Sequence, residues 1–419
     1  MTTGRAARCA IAITIGFAAA AAAAPSYAQD APPTEGVMER LRPAYDAKGI
    51  DLGGFRLKPA LDVAATVDDN VYRTQNARKT DGYFTIAPSF SLKSQWSRHM
   101  LELTGGLTRY QYINLNKENR TGWNVGANGR LDIFRGSALN AGTSYAVLHE
   151  PRYSPDQSGQ AATPTRYSVF HNEASVTYQP YRFGLTLGGT YEQFAYHSTP
   201  LVGGGIEDNS DRDKNSYGGY ARASYRVGKG TEVFLRGSYD MRSFHKKIDR
   251  NGVNRDSHGY RADAGVKLFL THLLEGEAFA GYSRQSFKAP LQSVSGFDFG
   301  ARLNYYATEL MTVHLTASRT LGDTTLAGGS VSNDQSFGLG VDYELLRNLI
   351  LQAGGDYTFS DYEGIARRDK YLEAHLNAKY LINRYLSADA SYIYSQRRSN
   401  VAGQGFTDNS VSLGLHFQL

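Results

Sequence analysis

Charged residues recur in this chain one at a time inside apolar stretches. Arg222, Arg226, Arg236, Arg261, Asp263, Lys267, Arg302, Asp342, Glu344, Glu373 and Lys379 each have an apolar or small residue on both sides. Side chains alternate across a strand, so this spacing puts charges on one face and apolar groups on the other. Charges sharing a face can pair across strands, or can line a water-filled passage and tune what permeates it. Arg242, Glu102, Asp132, Asp240, Asp298 and Asp356 extend the pattern. The two signs are too mixed to favour anions or cations.

Other chemistry is weakly signalled. Ten histidines are scattered, and no H-E-x-x-H, G-x-S-x-G, phosphate-loop or paired-cysteine motif occurs. His149-Glu150 and His197-Ser198 fall near strand ends, where a hydrolytic barrel would hold its catalytic groups. Two dipeptides are chance neighbours more readily than a site, so no catalytic residue is assigned and no enzyme is expected. The acid-rich "EDNSDRDKNS" (207–216) lacks the Asp/Asn-Gly register of a calcium loop and reads as a solvated loop. Asp68-Asp69-Asn70 reads as an Asx-type turn ending a strand, with a cation site as the alternative. Neither a cofactor nor a metal is expected.

The elements that must position these residues are strands. In "YLEAHLNAKYLI", Leu372, Ala374, Leu376, Ala378 and Tyr380 share one face. "SFGLGVDYELL" and "YRADAGVKLFL" repeat the theme. Tight breaks at 97–99, 135–137, 179–182, 228–230, 271–273, 308–310, 347–348 and 383–384 take turns with long polar breaks. The long ones include 76–81, 151–165, 198–216, 246–257, 324–334 and 397–405. About 18 strands follow, all hairpins pointing the same way. A soluble sandwich does not explain loops segregated by length, nor strands of this length. In hydrocarbon an all-strand structure must close on itself, with short periplasmic turns and long outer loops. The expected fold is all-β: a transmembrane up-and-down antiparallel barrel over 56–419.

Composition agrees. Of 419 residues, 44 are Gly and 29 Tyr, and aromatic rings with polar tips suit membrane–water interfaces. Tyr110, Tyr112, Phe194, Tyr196, Tyr305, Tyr306, Tyr357, Phe359, Tyr392 and Tyr394 stand near strand ends, with a minority expected to line the lumen. Residues 1–28 read as a cleaved signal peptide: Arg5 and Arg8, an apolar run, then Ser26-Tyr27-Ala28. Its removal takes away the single cysteine and leaves 43 basic against 40 acidic side chains. They form no basic run, so no nucleic-acid partner is expected. Residues 29–55 read as a periplasmic extension and a candidate plug.

The stretch 40–74 carries Arg42-Pro43, Tyr45-Asp46, Gly49-Ile50, Gly54-Phe55-Arg56-Leu57, Pro59 and Asp68-Asp69-Asn70-Val71-Tyr72-Arg73-Thr74. With "IAPSFSLKSQWSRHMLELTGGL" (86–107), it resembles the beta-barrel porin type 2 proteins of proteobacterial outer membranes. The resemblance implies a porin-like outer-membrane protein associated with exopolysaccharide or capsule export, as in EpsL-type members, and brings no site residues. General diffusion of small solutes and a non-conducting structural or adhesion role are the alternatives. Ser412, Gly414, Phe417 and Leu419 resemble the C-terminal signal read by barrel-assembly machinery, with Leu in place of the commoner final aromatic. The expected partners are outer-membrane lipid and lipopolysaccharide, that machinery, and polysaccharide-export components.

Overall fold

Apolar–polar alternation over 13 to 16 positions sets each strand. The computed structural model describes residues 36–228, 230–270 and 273–419. Residues 1–28, read above as a signal peptide, residues 29–35, and parts of the 228–230 and 271–273 turns lie outside the described residues.

Eighteen long strands form the wall: β1 (Phe55–Asp68), β2 (Asp81–Ser94), β3 (Met100–Tyr112), β4 (Arg120–Phe134), β5 (Ser137–His149), β6 (Arg166–Tyr178), β7 (Phe183–Tyr196), β8 (Lys214–Gly228) and β9 (Thr231–Phe244). The second half holds β10 (Ser257–Leu270), β11 (Leu274–Phe287), β12 (Val294–Thr308), β13 (Met311–Asp323), β14 (Val331–Leu346), β15 (Leu349–Tyr362), β16 (Arg367–Leu381), β17 (Leu386–Ser399) and β18 (Phe406–Gln418). Each pairs antiparallel with its neighbours in sequence. The barrel closes where β18 returns to β1, from Ala60 opposite Gln418 to Asp68 opposite Ser410.

Loop lengths alternate as expected, with several boundary corrections: Lys214 to Ser216 begin β8, paired with Phe194 to Glu192 of β7, and Ser137 and Ser257 begin β5 and β10. Val331 to Asp334 extend β14 because they pair with Asp323 to Thr320. Arg397 to Ser399 belong to β17, paired with Tyr371 to Asp369 of β16. The first outer loop starts at 69, where β1 ends, and not at 76.

The two faces invert the usual soluble order. Leu235 and Leu413 are 65 % exposed on the outside, whereas Asp263 and Asp298 are 4 % and 2 % exposed inside. Val411, Leu413, Leu415, Phe417 and Leu419 continue the outer apolar face to the end of β18. In lipid that face is satisfied, and the strands pair along the closed wall.

Glycine and aromatic enrichment share one cause in the wall. Phe90 lies directly opposite Gly105, Tyr220 opposite Gly188, Phe234 opposite Gly265, and Phe279 opposite Gly300. In each pair a Cβ on the glycine would overlap the partner ring. A bare backbone lets the ring lie flat across the neighbouring strand.

Candidate functional site in the lumen and its two covers

The charged residues singled out from sequence sit on the face opposite the exposed apolar one, and most are paired there. On β8 to β12, Arg222 reaches Glu277 at 2.9 Å and Glu232 at 3.5 Å. Arg236 reaches Asp263 at 2.8 Å, and Arg261 reaches Asp298 at 3.0 Å. Arg226 donates to Gln179 at 2.7 Å, and Arg302 stands in register opposite Glu277. Guanidinium groups also stack on rings: Arg222 over Phe234 at 3.7 Å and Arg236 over Phe279 at 4.4 Å. Lys267 lies 4.9 Å from the Phe269 ring. Buried charges are tolerable only when compensated, and in this ladder each buried acid has a guanidinium partner.

The remaining candidates lie elsewhere around the wall. Asp342 accepts from Gln352 at 2.7 Å and lies 2.8 Å from His314. Lys379 stands opposite Asp389, and Glu373 lies 3.5 Å from the Ser395 hydroxyl. Glu344 is taken up by the N-terminal segment described below. At the chain end, Ser412 accepts from Thr66 at 3.0 Å, and a side chain at Gly414 would collide with Asp389. Phe417 and Leu419 remain on the outer face.

The lumen narrows towards the outer end. Pairing between β12 and β13 stops at Gly300 opposite Ser318. Beyond that point β13 leans inward with β14. Asp323, at its tip, takes both Lys214 of β8 and Arg242 of β9, the latter at 2.6 Å. Arg319 fills the parting, donating to the Phe297 carbonyl at 3.1 Å and the Ser283 hydroxyl at 2.9 Å.

The 150–165 loop then crosses the mouth. Asp156 accepts from Thr324 Oγ1, Thr325 N and Thr325 Oγ1 at 2.8, 2.7 and 3.0 Å. The Tyr153 carbonyl accepts from Arg397 at 2.7 Å. The Tyr153 ring packs against Phe406 and Tyr371 and lies under Arg73 at 4.7 Å, and burial pushes its phenol pKa up to about 12. Arg152 pairs with Glu118. The next loops lock onto this one. Arg212 grips Glu150 at 2.6 and 2.9 Å, so Glu150 is committed to an ion pair. Burial opposes the Arg212 charge, but Tyr196 and Glu150 more than offset it and raise its pKa. Arg255 pairs with Asp249 at 2.6 Å and donates to the Gly329 carbonyl at 2.9 Å.

Several tyrosines expected at the interface belong to this interior. Tyr112, Phe194 and Tyr306 are buried, and Tyr196 stacks on Tyr167 beneath Arg212. Tyr305, Phe359 and Tyr392 stay on the outer face. Three acids of 207–216 are ion-paired, Glu207 and Asp211 with Arg250 and Asp208 with Lys246, and Asp213 accepts from the Tyr196 N–H at 2.7 Å.

A second cover lies at the periplasmic end. Val37 is 1 % exposed and its N–H donates to Thr312 at 3.0 Å. Glu344 receives Arg42 at 2.6 Å and Arg40 at 3.5 Å. Gln418 donates to the Tyr45 carbonyl at 3.0 Å, and Gly49 N donates to the Leu419 carbonyl at 3.1 Å. Residues 36–49 therefore run from β13 and β14 to the end of β18.

The profile of the family described as "Putative beta-barrel porin 2" matches residues 42–419, all eighteen strands included. The chain belongs to this family. Its members are porin-like barrels, and the outer membrane is where such a barrel sits. No curated protein matches in sequence. Among solved structures, Pseudomonas aeruginosa OpdO is 15 % identical, with 87 % of this chain and 97 % of that one aligned at a TM-score of 0.44. The copper transporter OprC is 10 % identical, with 89 % and 82 % aligned at 0.48. Ferric citrate transporter FecA in its unliganded form is 13 % identical, with 82 % and 60 % aligned at 0.44.

Sequence reading missed Arg152, Tyr153 and Asp156 in the mouth loop, Asp323 at the β13 tip, and the Arg40–Arg42–Glu344 link. Nothing in a polar loop distinguishes a residue that folds inward from one that faces water.

Proposed function

We propose that this porin-family barrel is a gated conduit for polar, hydroxyl-rich solutes, serving exopolysaccharide or capsule export. Gating rests on one observation: a loop of the chain crosses the outer mouth and bonds to the opposite rim through Asp156 and Tyr153. A general diffusion porin needs no such crossing, and the N-terminal segment adds a second cover. The lumen chemistry fits neutral solutes. Arg222 with Glu277, Arg236 with Asp263, and Arg261 with Asp298 pair internally, so they present hydrogen-bonding groups without a net sign. The polysaccharide assignment draws its support from the resemblance of residues 40–107 to EpsL-type proteins.

The same covers favour one rival, a structural barrel that conducts nothing. Planar-bilayer recordings separate the two. The wild type is expected to be mostly closed, and a variant with residues 36–47 deleted and the mouth loop shortened should open to a steady conductance. A mixed exopolysaccharide hydrolysate should block that conductance while salts of either sign pass equally. Silence from the doubly opened variant overturns the conduit. Unchanged extracellular polysaccharide in a deletion strain overturns the export role alone.

A further inference from the structure

The outer end of the closing seam holds three carboxylates. Asp68 ends β1, Asp69 follows it, and Asp408 lies near the start of β18; one oxygen from each can be chosen so that all lie within 4.8 Å of one another. Part of this cluster is explained by local structure. Asp68 Oδ1 accepts from Asn70 N at 2.8 Å, the Asx turn expected from sequence. Both Asp69 oxygens accept from Asn409, at 2.8 Å from its N–H and 2.7 Å from its side-chain amide. The Asn70 amide donates to Thr74 and Thr407 carbonyls, each at 2.9 Å. The Asp-Asp-Asn corner is thus a clasp that carries the β1–β18 seam beyond its last register pair.

Asp408 is what the clasp leaves unexplained. Its side chain is 1 % exposed, and neither carboxylate oxygen receives a hydrogen bond. Arg73 approaches Oδ2 at 3.1 Å in an ion pair without hydrogen-bond geometry. A buried carboxylate lacking donors is costly unless another positive group is supplied. Three carboxylates against one guanidinium leave two negative charges, which a divalent cation balances. Calcium takes oxygen ligands at about 2.3–2.6 Å in a flexible shell, so two oxygens on one ion lie no more than roughly 5 Å apart. The present spacing meets that limit.

We infer that Asp68, Asp69 and Asp408 bind one calcium ion, which pins the first strand to the last at the outer rim. The inference does not depend on the conduit reading. The test uses the full chain refolded in detergent micelles, titrated with CaCl2 by calorimetry and heated in a gel band-shift assay. One saturable calcium per chain is expected, with a higher unfolding temperature when it is bound. Asp408→Asn should still give the folded band, because it removes a buried charge. It should weaken calcium binding by more than the ~10–100-fold that loss of an outer-shell partner costs. Wild-type affinity in Asp408→Asn would place the ion elsewhere and overturn the site. A wild type stabilised by acid between pH 7 and pH 5, with no response to calcium, would mean that the carboxylates share a proton, and would overturn it too.

Discussion

The two ends of the lumen are covered by unequal means. The mouth loop is held from many sides: Thr324 and Thr325 on one loop, Arg397, Tyr371 and Phe406 on three strands, and Arg212 and Arg73 beyond them. Among the described residues, the N-terminal strap has one ion-pair anchor, Glu344, and is otherwise held by single hydrogen bonds, from Val37 to Thr312, Arg40 to the Glu309 carbonyl, Gln418 to the Tyr45 carbonyl and Gly49 to the Leu419 carbonyl. A cover with many distributed contacts is lost only by large rearrangement. A cover with one principal anchor can be released by a single partner, so the periplasmic strap is the part suited to regulated movement.

Glu344→Gln probes that inequality most strongly. Glu344 and Arg42 are 7 % and 10 % exposed at their side chains, and removing one partner of a buried pair costs roughly 3–5 kcal/mol. The strap should become cleavable by protease while the outer loops stay protected; a strap that remains protected breaks the comparison. Asp156→Ala should weaken mouth docking by about 1–3 kcal/mol, the cost of leaving its buried partners unsatisfied. Hydrogen exchange at Thr325 N–H reports it, and exchange should rise there without spreading to Tyr153. Val37→Ala should loosen the strap by about 1.5 kcal/mol, two methylene equivalents of buried area. Its protease sensitivity should fall between wild type and Glu344→Gln.

The smallest effect concerns pH. Burial works to raise the pKa of Asp249, but the Val253 N–H and Arg255 hold it below the usual range, and Asp211 is likewise lowered by Arg250 against burial. A lowered folded-state pKa gives stability that is present above the unfolded value, about 3.9, and is lost as pH falls through the folded value. Limited proteolysis should find these outer loops intact at pH 6 and progressively cut below about pH 4, with the strap, whose anchor is Glu344, compared in the same samples.

The wall was readable because it is periodic. Leu372, Ala374 and Leu376 announce a lipid face by spacing alone, and the partner of Arg236 follows from register, one strand away, whereas Arg261 reaches past β11 to Asp298 on β12. The covers were not readable because their contacts join residues far apart in sequence: Asp156 with Thr325, and Arg42 with Glu344. No periodicity links such pairs. The Asp68 turn was local and therefore legible, whereas the presence of Asp408 beside it required the closed barrel.

The inward lean of β13 has a consequence for how this protein meets other chains. A closed sheet normally has no strand edges, and so offers no template for adding a strand. Above Gly300 and Ser318 the partners part, and Val294 to Phe299 and Arg319 to Asp323 no longer face each other in register. Two short edges there lack a strand partner on one side; Val294 and Leu321 pack with Val331 between them, and one arginine side chain spans the interval. Replacing that arginine would leave the molecule with the one thing a barrel is built to avoid: an open backbone row available to a neighbour's strand.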